Sequence, residues 1–271
     1  MTQSPPPSSG KQPVTGRQRT IVLAVDRAVY WFSKHWLAVF NTLAALYVGL
    51  PILAPILMAN GATRAGQAIY LVYSPMCHQM ASRSLFLFGD QYAYPREIAG
   101  SELRSFETYL DQIPEFANVA PENWVAFTLA ARQFLGNEEM GYKMALCARD
   151  IGIYGFVLIG GLLYGLLRRR INIKPLPFLA FVIIGMGPIG LDGFSQLFSY
   201  WATPPDGSAP GALAELILRI FPLRESTPFL RTFTGAWFGL MLVWLAYPNV
   251  EQGMNETEQG LAEKLRRAGE L

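Results

Sequence analysis

Four apolar runs, separated by polar stretches of very unequal length, set the pattern of this chain. Roughly 20 predominantly apolar residues are needed for a helix to cross a bilayer. The runs are WLAVFNTLAALYVGLPILAPILM (36–58), ALCARDIGIYGFVLIGGLLYGLL (145–167), LPFLAFVIIGMGPIGLDGFSQLFSYW (176–201) and TPFLRTFTGAWFGLMLVWLAYP (227–248). Each is predicted to be a membrane-spanning helix. The first is too long, and starts too late, for the apolar region of a cleaved leader, and it reads as an uncleaved anchor.

The intervening segments read differently. Residues 1–19 are rich in Pro, Ser, Gly and Gln and predict a disordered arm. Residues 20–34 mix apolar and charged positions at helical spacing and predict an interfacial lead-in to the first span, with Trp31, His35 and Trp36 near headgroup level. Residues 64–89 look helical at first but are too short and polar for a span, and they break at Pro75. They predict a re-entrant or interfacial helix, which must be buried in protein or wetted. Residues 90–143 are polar; REIAGSELRSFETYLDQI and PENWVAFTLAARQFLGN show amphipathic helical periodicity and predict a small helical cap outside the membrane. No internal repeat is visible. The predicted fold is therefore all-α: an integral membrane four-helix bundle over 20–247, with the re-entrant or interfacial helix, the inserted cap 90–143, and a tail over 248–271.

Composition agrees with the pattern. Hydrophobic residues make up 51% of the chain and charged ones only 15%, against about a quarter charged in soluble domains. The net charge of +2, with no basic stripe, argues against nucleic acid as a partner. Charge also predicts orientation, because short cytoplasmic segments are enriched in Lys and Arg. The N-terminal arm carries Lys11, Arg17, Arg19, Arg27 and Lys34, and the turn RRRINIK (168–174) is basic. Residues 59–144 carry six basic against nine acidic residues. Both termini are thus expected in the cytoplasm and the long segment outside, in the cell inner membrane.

Ionisable groups in spanning helices are costly and mark candidate sites. Arg149 and Asp150 open the second span, Asp192 and Gln196 share one face of the third, and Arg231 lies one turn into the fourth. All fall on the outer side in this topology, where Cys77, His78 and Arg83 also arrive. Buried charges are normally paired, which predicts Asp192 with Arg231, directly or through Gln196, and Asp150 with Arg149 or Arg83. Glycine-rich faces such as GIYGFVLIGGLLYG belong to helix packing. Cys77 and Cys147 leave three readings open: a disulfide, a metal site with His78 and Asp150 that would take zinc or another transition metal, or inert buried thiols. Adjacent helical residues diverge by about 100°, so Cys77 and His78 can share an ion only if the backbone unwinds there.

The ordered motifs SPMCHQMASRSLFLFG, LCARDIGIYGFVLIGG, LDGFSQ and LRTFTGAWFG resemble the prokaryotic membrane-protein family Domain of Unknown Function 2085. The resemblance covers about residues 70–89 and 145–242. That family typically carries Cys-His and then Cys-Ala-Arg-Cys at a helix start, which implies a metal or redox site at Cys77, His78, Cys147 and Arg149. Asp150 stands here in place of the last cysteine, and the segment between the halves is longer. The resemblance implies a fold and a site, not a reaction.

Three functions follow as expectations. The first is an outward-facing metal or redox site. The second is a non-catalytic accessory subunit or scaffold that meets other membrane subunits through the 90–143 cap. The third is a transporter of a small polar solute, though no inverted repeat supports it. No HExxH, CxxC or nucleophile elbow points to a particular reaction.

Overall fold

The computed structural model describes residues 16–119, 123–204 and 208–271. Most of it is helical. In chain order the helices are α1 (Gly16–Ala59), α2 (Thr63–Tyr73), α3 (Trp124–Gln133), α4 (Ala148–Leu167), α5 (Phe178–Ala180), α6 (Met186–Trp201), α7 (Ala212–Ile220) and α8 (Pro228–Arg267). A π-helical turn at Phe181–Gly185 joins α5 to α6, making one helix over Phe178–Trp201.

Four helices are long and apolar enough to cross a membrane: Gly16–Ala59, Ala148–Leu167, Phe178–Trp201 and Pro228–Arg267. Only 17–33% of each apolar window is buried, so most of the apolar surface faces outward. In water that would be an aggregation surface; in lipid it is the expected face. α1 already starts at Gly16, so residues 16–19 of the predicted disordered arm are helical, while 1–15 lie outside the described residues. The predicted tail continues α8 as far as Arg267.

The chain divides into two compact units, Met1–Val39 with Asn249–Leu271, and Phe40–Pro248. In the first, Lys264 Nζ lies 2.6 Å from Asp26 Oδ2 and Arg27 Nη2 2.7 Å from Glu270 Oε2. The candidate site lies in the second. There α4 and α8 approach backbone to backbone: a Cβ on Gly152 would come 2.4 Å from Thr232 O, and one on Gly235 2.4 Å from Arg149 O. Small residues permit such close crossings in membranes.

The all-α expectation is corrected by a three-stranded antiparallel sheet. Its strands are β1 (Ser84–Leu87), β2 (Gly136–Asn137) and β3 (Gly141–Cys147), in the order β1-β3-β2. β3 takes residues 145–147 from the predicted second span. It is buried at Gly141, Lys143, Met144, Ala145 and Leu146, and a strand buried on both faces shows no alternation to tell it from helix. Gly141 adopts φ +71°, and a Cβ there would lie 2.2 Å from Leu87 O, so the β1–β3 pairing needs glycine.

Two further elements depart from expectation. The helix predicted from 96 onward is broken into 3₁₀ turns, Glu97–Ala99, Phe106–Gln112 and Pro114–Phe116. Gly100 in the left-handed region and Pro114 interrupt any longer helix. These turns and α3 bury Phe106, Tyr109, Ile113, Phe116 and Phe127 in a common core. The segment 64–89 is not one helix either. α2 stops at Tyr73, the chain turns, and Ala81–Arg83 and β1 follow.

Candidate functional site

The backbone does unwind at Cys77 and His78. After α2 the chain loses helical form at Pro75 and passes through Gln79 at φ +52°, a conformation that non-glycine residues adopt at a cost and only when surroundings hold them there. Gln79 Nε2 donates to Tyr70 O (2.9 Å) and Ala145 O (3.1 Å). Gln79 O in turn accepts from Lys143 Nζ at 2.6 Å, and the same ammonium reaches Arg132 O at 2.8 Å and Ala131 O at 3.4 Å. Lys143 is fully buried in β3. Burial pushes its pKa down to about 7, while the negative charge that Cys77 can carry acts the other way. One lysine thereby ties the Cys77 loop to β3 and to the end of α3.

This framework brings two distant cysteines together. Cys147 ends β3, opposite Ser84 in register, and is the N-cap residue of α4. Asp150 sits in the first turn of α4, and its Oδ2 accepts from Cys147 Sγ at 3.2 Å. Ligand atoms of Cys77, Cys147 and Asp150 all lie within 4.8 Å of one another. Both cysteines are free thiols. A hydrogen bond from Cys147 holds the Cys77 thiol below its ordinary range, and the same bond raises Cys147. His78 is exposed and stands outside this three-residue cluster.

The cluster opens into a cavity of about 310 Å³, whose wall also includes His78, Arg83, Arg149 and Arg231. Thus seven of the nine residues singled out from sequence line one cavity. Asp192 and Gln196 lie behind it, on the buried face of α6 with Ser199.

The charge pairing differs from the expected one. Asp192 binds Arg149 Nη2 at 2.5 Å and Arg224 Nη2 at 3.0 Å, not Arg231. Arg231 Nη2 instead reaches Glu225 Oε1 and Gln196 Oε1, each at 3.0 Å. Arg83 Nε lies 2.7 Å from the same Glu225 oxygen, and Tyr200 Oη donates to Glu225 Oε2 at 2.8 Å. Asp150 takes the Cys147 thiol rather than Arg149 or Arg83. The reason is the sequence PLRESTP just before α8, which folds in against α6 and supplies Arg224, Glu225 and Ser226. Glu225 and Ser226 are almost wholly buried.

Those three residues and Lys143 escaped the sequence reading. A signal existed for two of the four: Glu225 is an acid beside the fourth span on the same side as Arg231, and Lys143 is a lone lysine inside the apolar run YKMALC.

Residues 138–245 match the family model described as Predicted membrane protein (DUF2085). This is the family that the sequence motifs resemble. The match covers α4, α6 and most of the apolar part of α8, while Cys77 and His78 lie N-terminal to it. The chain is also similar to an uncharacterized protein of Methanocaldococcus jannaschii, 25% identical over 221 residues, which cover 80% of this chain and 92% of that protein. No solved structure matches the chain.

Proposed function

We propose that this membrane protein carries a metal site at Cys77, Cys147 and Asp150, with His78 placed to supply a fourth ligand by rotation into the cavity. The carrying observation is the convergence of two thiols and a carboxylate, from two separate elements, within 4.8 Å. Tetrahedral zinc with bonds of about 2.3 Å to sulfur needs sulfurs about 3.8 Å apart, a spacing this cluster reaches with small adjustments. The donor set suits zinc or another thiophilic transition metal. With His78 turned away, the three remaining protein ligands would leave a position for a water, whose pKa the ion would lower; with His78 bound, the site would be closed.

The basic arm and the basic turn at 168–174 support a cytoplasmic placement of both termini in the inner membrane. The site then faces outward, at the end of the spans where the connections 60–147 and 202–227 lie. The insertion 90–143 would cover that side and offer a surface to another subunit.

Elemental analysis of protein purified without chelators tests the reading. The expected result is about one zinc or other transition ion per chain, lost in Cys77→Ser and Cys147→Ser. Metal-free protein with no free thiols would replace the metal site by a disulfide. Metal-free protein with both thiols free, copurifying with a larger complex, would favour an accessory subunit.

A further inference from the structure

The cavity beside the thiols has more positive charge around it than the protein neutralises. Four guanidiniums, on Arg83, Arg149, Arg224 and Arg231, share the carboxylates of Asp192 and Glu225. Asp150 adds a third carboxylate at the wall. One positive charge is left over, and a divalent ion held by two thiolates would leave that balance unchanged. Asp192 and Glu225 are almost wholly buried, as is Arg231. The surplus falls on Arg83, Arg149 and Arg224, whose side chains are 22–33% exposed, so an anion can reach it.

The donors also point to a ligand. Arg149 lines the cavity and spends Nη2 on Asp192, but its Nε is buried and has no hydrogen-bond partner among the described residues. Arg83 binds Glu225 through Nε, with no bond from its Nη groups among the described residues. These side chains come from different elements: Arg83 from the turn Ala81–Arg83, Arg149 from α4 and Arg231 from α8. A planar carboxylate meets one such fork. A tetrahedral oxyanion presents oxygens in several directions and can meet more than one.

We propose that this cavity binds a phosphate-class oxyanion, with Arg149 as its main ligand and Arg83 as a second. The anion is either free phosphate or the phosphomonoester headgroup of an anionic lipid such as phosphatidic acid. The site shares its cavity with the proposed metal cluster but does not depend on an ion being bound.

The test titrates inorganic phosphate into the full chain in detergent, at constant ionic strength set with chloride, and follows heat of binding. Saturable binding of one phosphate per chain is expected. Arg149→Gln should weaken it by at least about tenfold, the loss of one charge-assisted hydrogen bond, and Arg149→Lys should fall between. Phosphate that binds no better than chloride, or equally well to Arg149→Gln, would overturn the proposal. Should Arg149→Gln fail to fold, the wild-type comparison with chloride and Arg149→Lys decide. Repeating the titration in nanodiscs of phosphatidylcholine, with and without phosphatidic acid, separates the sources. A headgroup ligand would block phosphate only where phosphatidic acid is present; a free-anion site would titrate alike in both. Cys77→Ser and Cys147→Ser should lose metal yet keep phosphate binding, so failure of either reading leaves the other's result intact.

Discussion

Asp192 and Arg231 are joined through Ser226, whose hydroxyl lies 2.6 and 2.7 Å from the two Asp192 carboxylate oxygens and whose carbonyl accepts Arg231 Nε at 3.1 Å. Each charge has its own main partner, Arg149 and Arg224 for Asp192 and Glu225 for Arg231. Arg231→Gln and Glu225→Gln should each destabilise the protein, by about 3–5 kcal/mol if the remaining charge finds no other partner. The double variant should recover part of that loss. Asp192→Asn with Arg231→Gln should be closer to additive. A double-mutant cycle on thermal unfolding in detergent measures both couplings, and a larger coupling for Asp192 with Arg231 would refute this pairing.

Much of this site could be read from the chain, and the failures have physical causes. Helical periodicity placed Asp192 and Gln196 on one face, and the structure has them there with Ser199. Convergence of Cys77, Cys147 and Arg149 was expected from the topology, which brings all three to one end of the spans, and they line one cavity. Pairing did not, because it depends on how the connection 202–227 folds back, and no periodicity encodes that. β3 escaped because GYKMALC runs apolar into α4 without a turn signal. The 3₁₀ turns escaped because their apolar spacing imitates an amphipathic helix while Gly100 and Pro114 forbid one.

Helix contact provides an independent check on the frame that holds Arg149. Gly235 leaves no room for a side chain against Arg149 O, whereas a Cβ on Gly187 of α6 meets nothing within 4 Å. Gly235→Ala should destabilise by about 1–3 kcal/mol through overpacking. Gly187→Ala should be neutral or slightly stabilising, since alanine is the better helix former. Equal thermal shifts for the two would mean that α4 and α8 are not this close.

Lys143 predicts a pH dependence. Its pKa in the folded chain is about 7, below the ordinary 10.5, because of burial. Between those values the unfolded chain holds the extra proton, so this group makes stability rise as pH rises from about 7 towards 10.5. Below about 7 both states are protonated and the cost of burying the charge is felt in full. Lys143→Met should remove that slope. It should also destabilise by about 1–3 kcal/mol, because the carbonyls of Gln79, Ala131 and Arg132 lose their donor. Unfolding midpoints of the two proteins between pH 7 and 9 give the comparison; parallel curves would show that Lys143 is not the titrating group.

The two thiols should report on each other. The bond from Cys147 is the largest influence lowering Cys77, and the same bond is the largest influence raising Cys147. Removing either partner should therefore move the survivor in a known direction. In Cys147→Ala the Cys77 thiol loses its donor and keeps its burial, so its pKa should rise. In Cys77→Ala the Cys147 thiol loses its acceptor, so its pKa should fall towards the ordinary value, although burial and Asp150 still hold it up. Alkylation reads this directly, because only the thiolate reacts. With metal chelated, the pH midpoint for iodoacetamide should move up for Cys77 in Cys147→Ala, relative to wild type, and down for Cys147 in Cys77→Ala. Midpoints that stay put in both variants would mean the sulfurs do not share a proton, and the three-ligand cluster would lose its geometric basis.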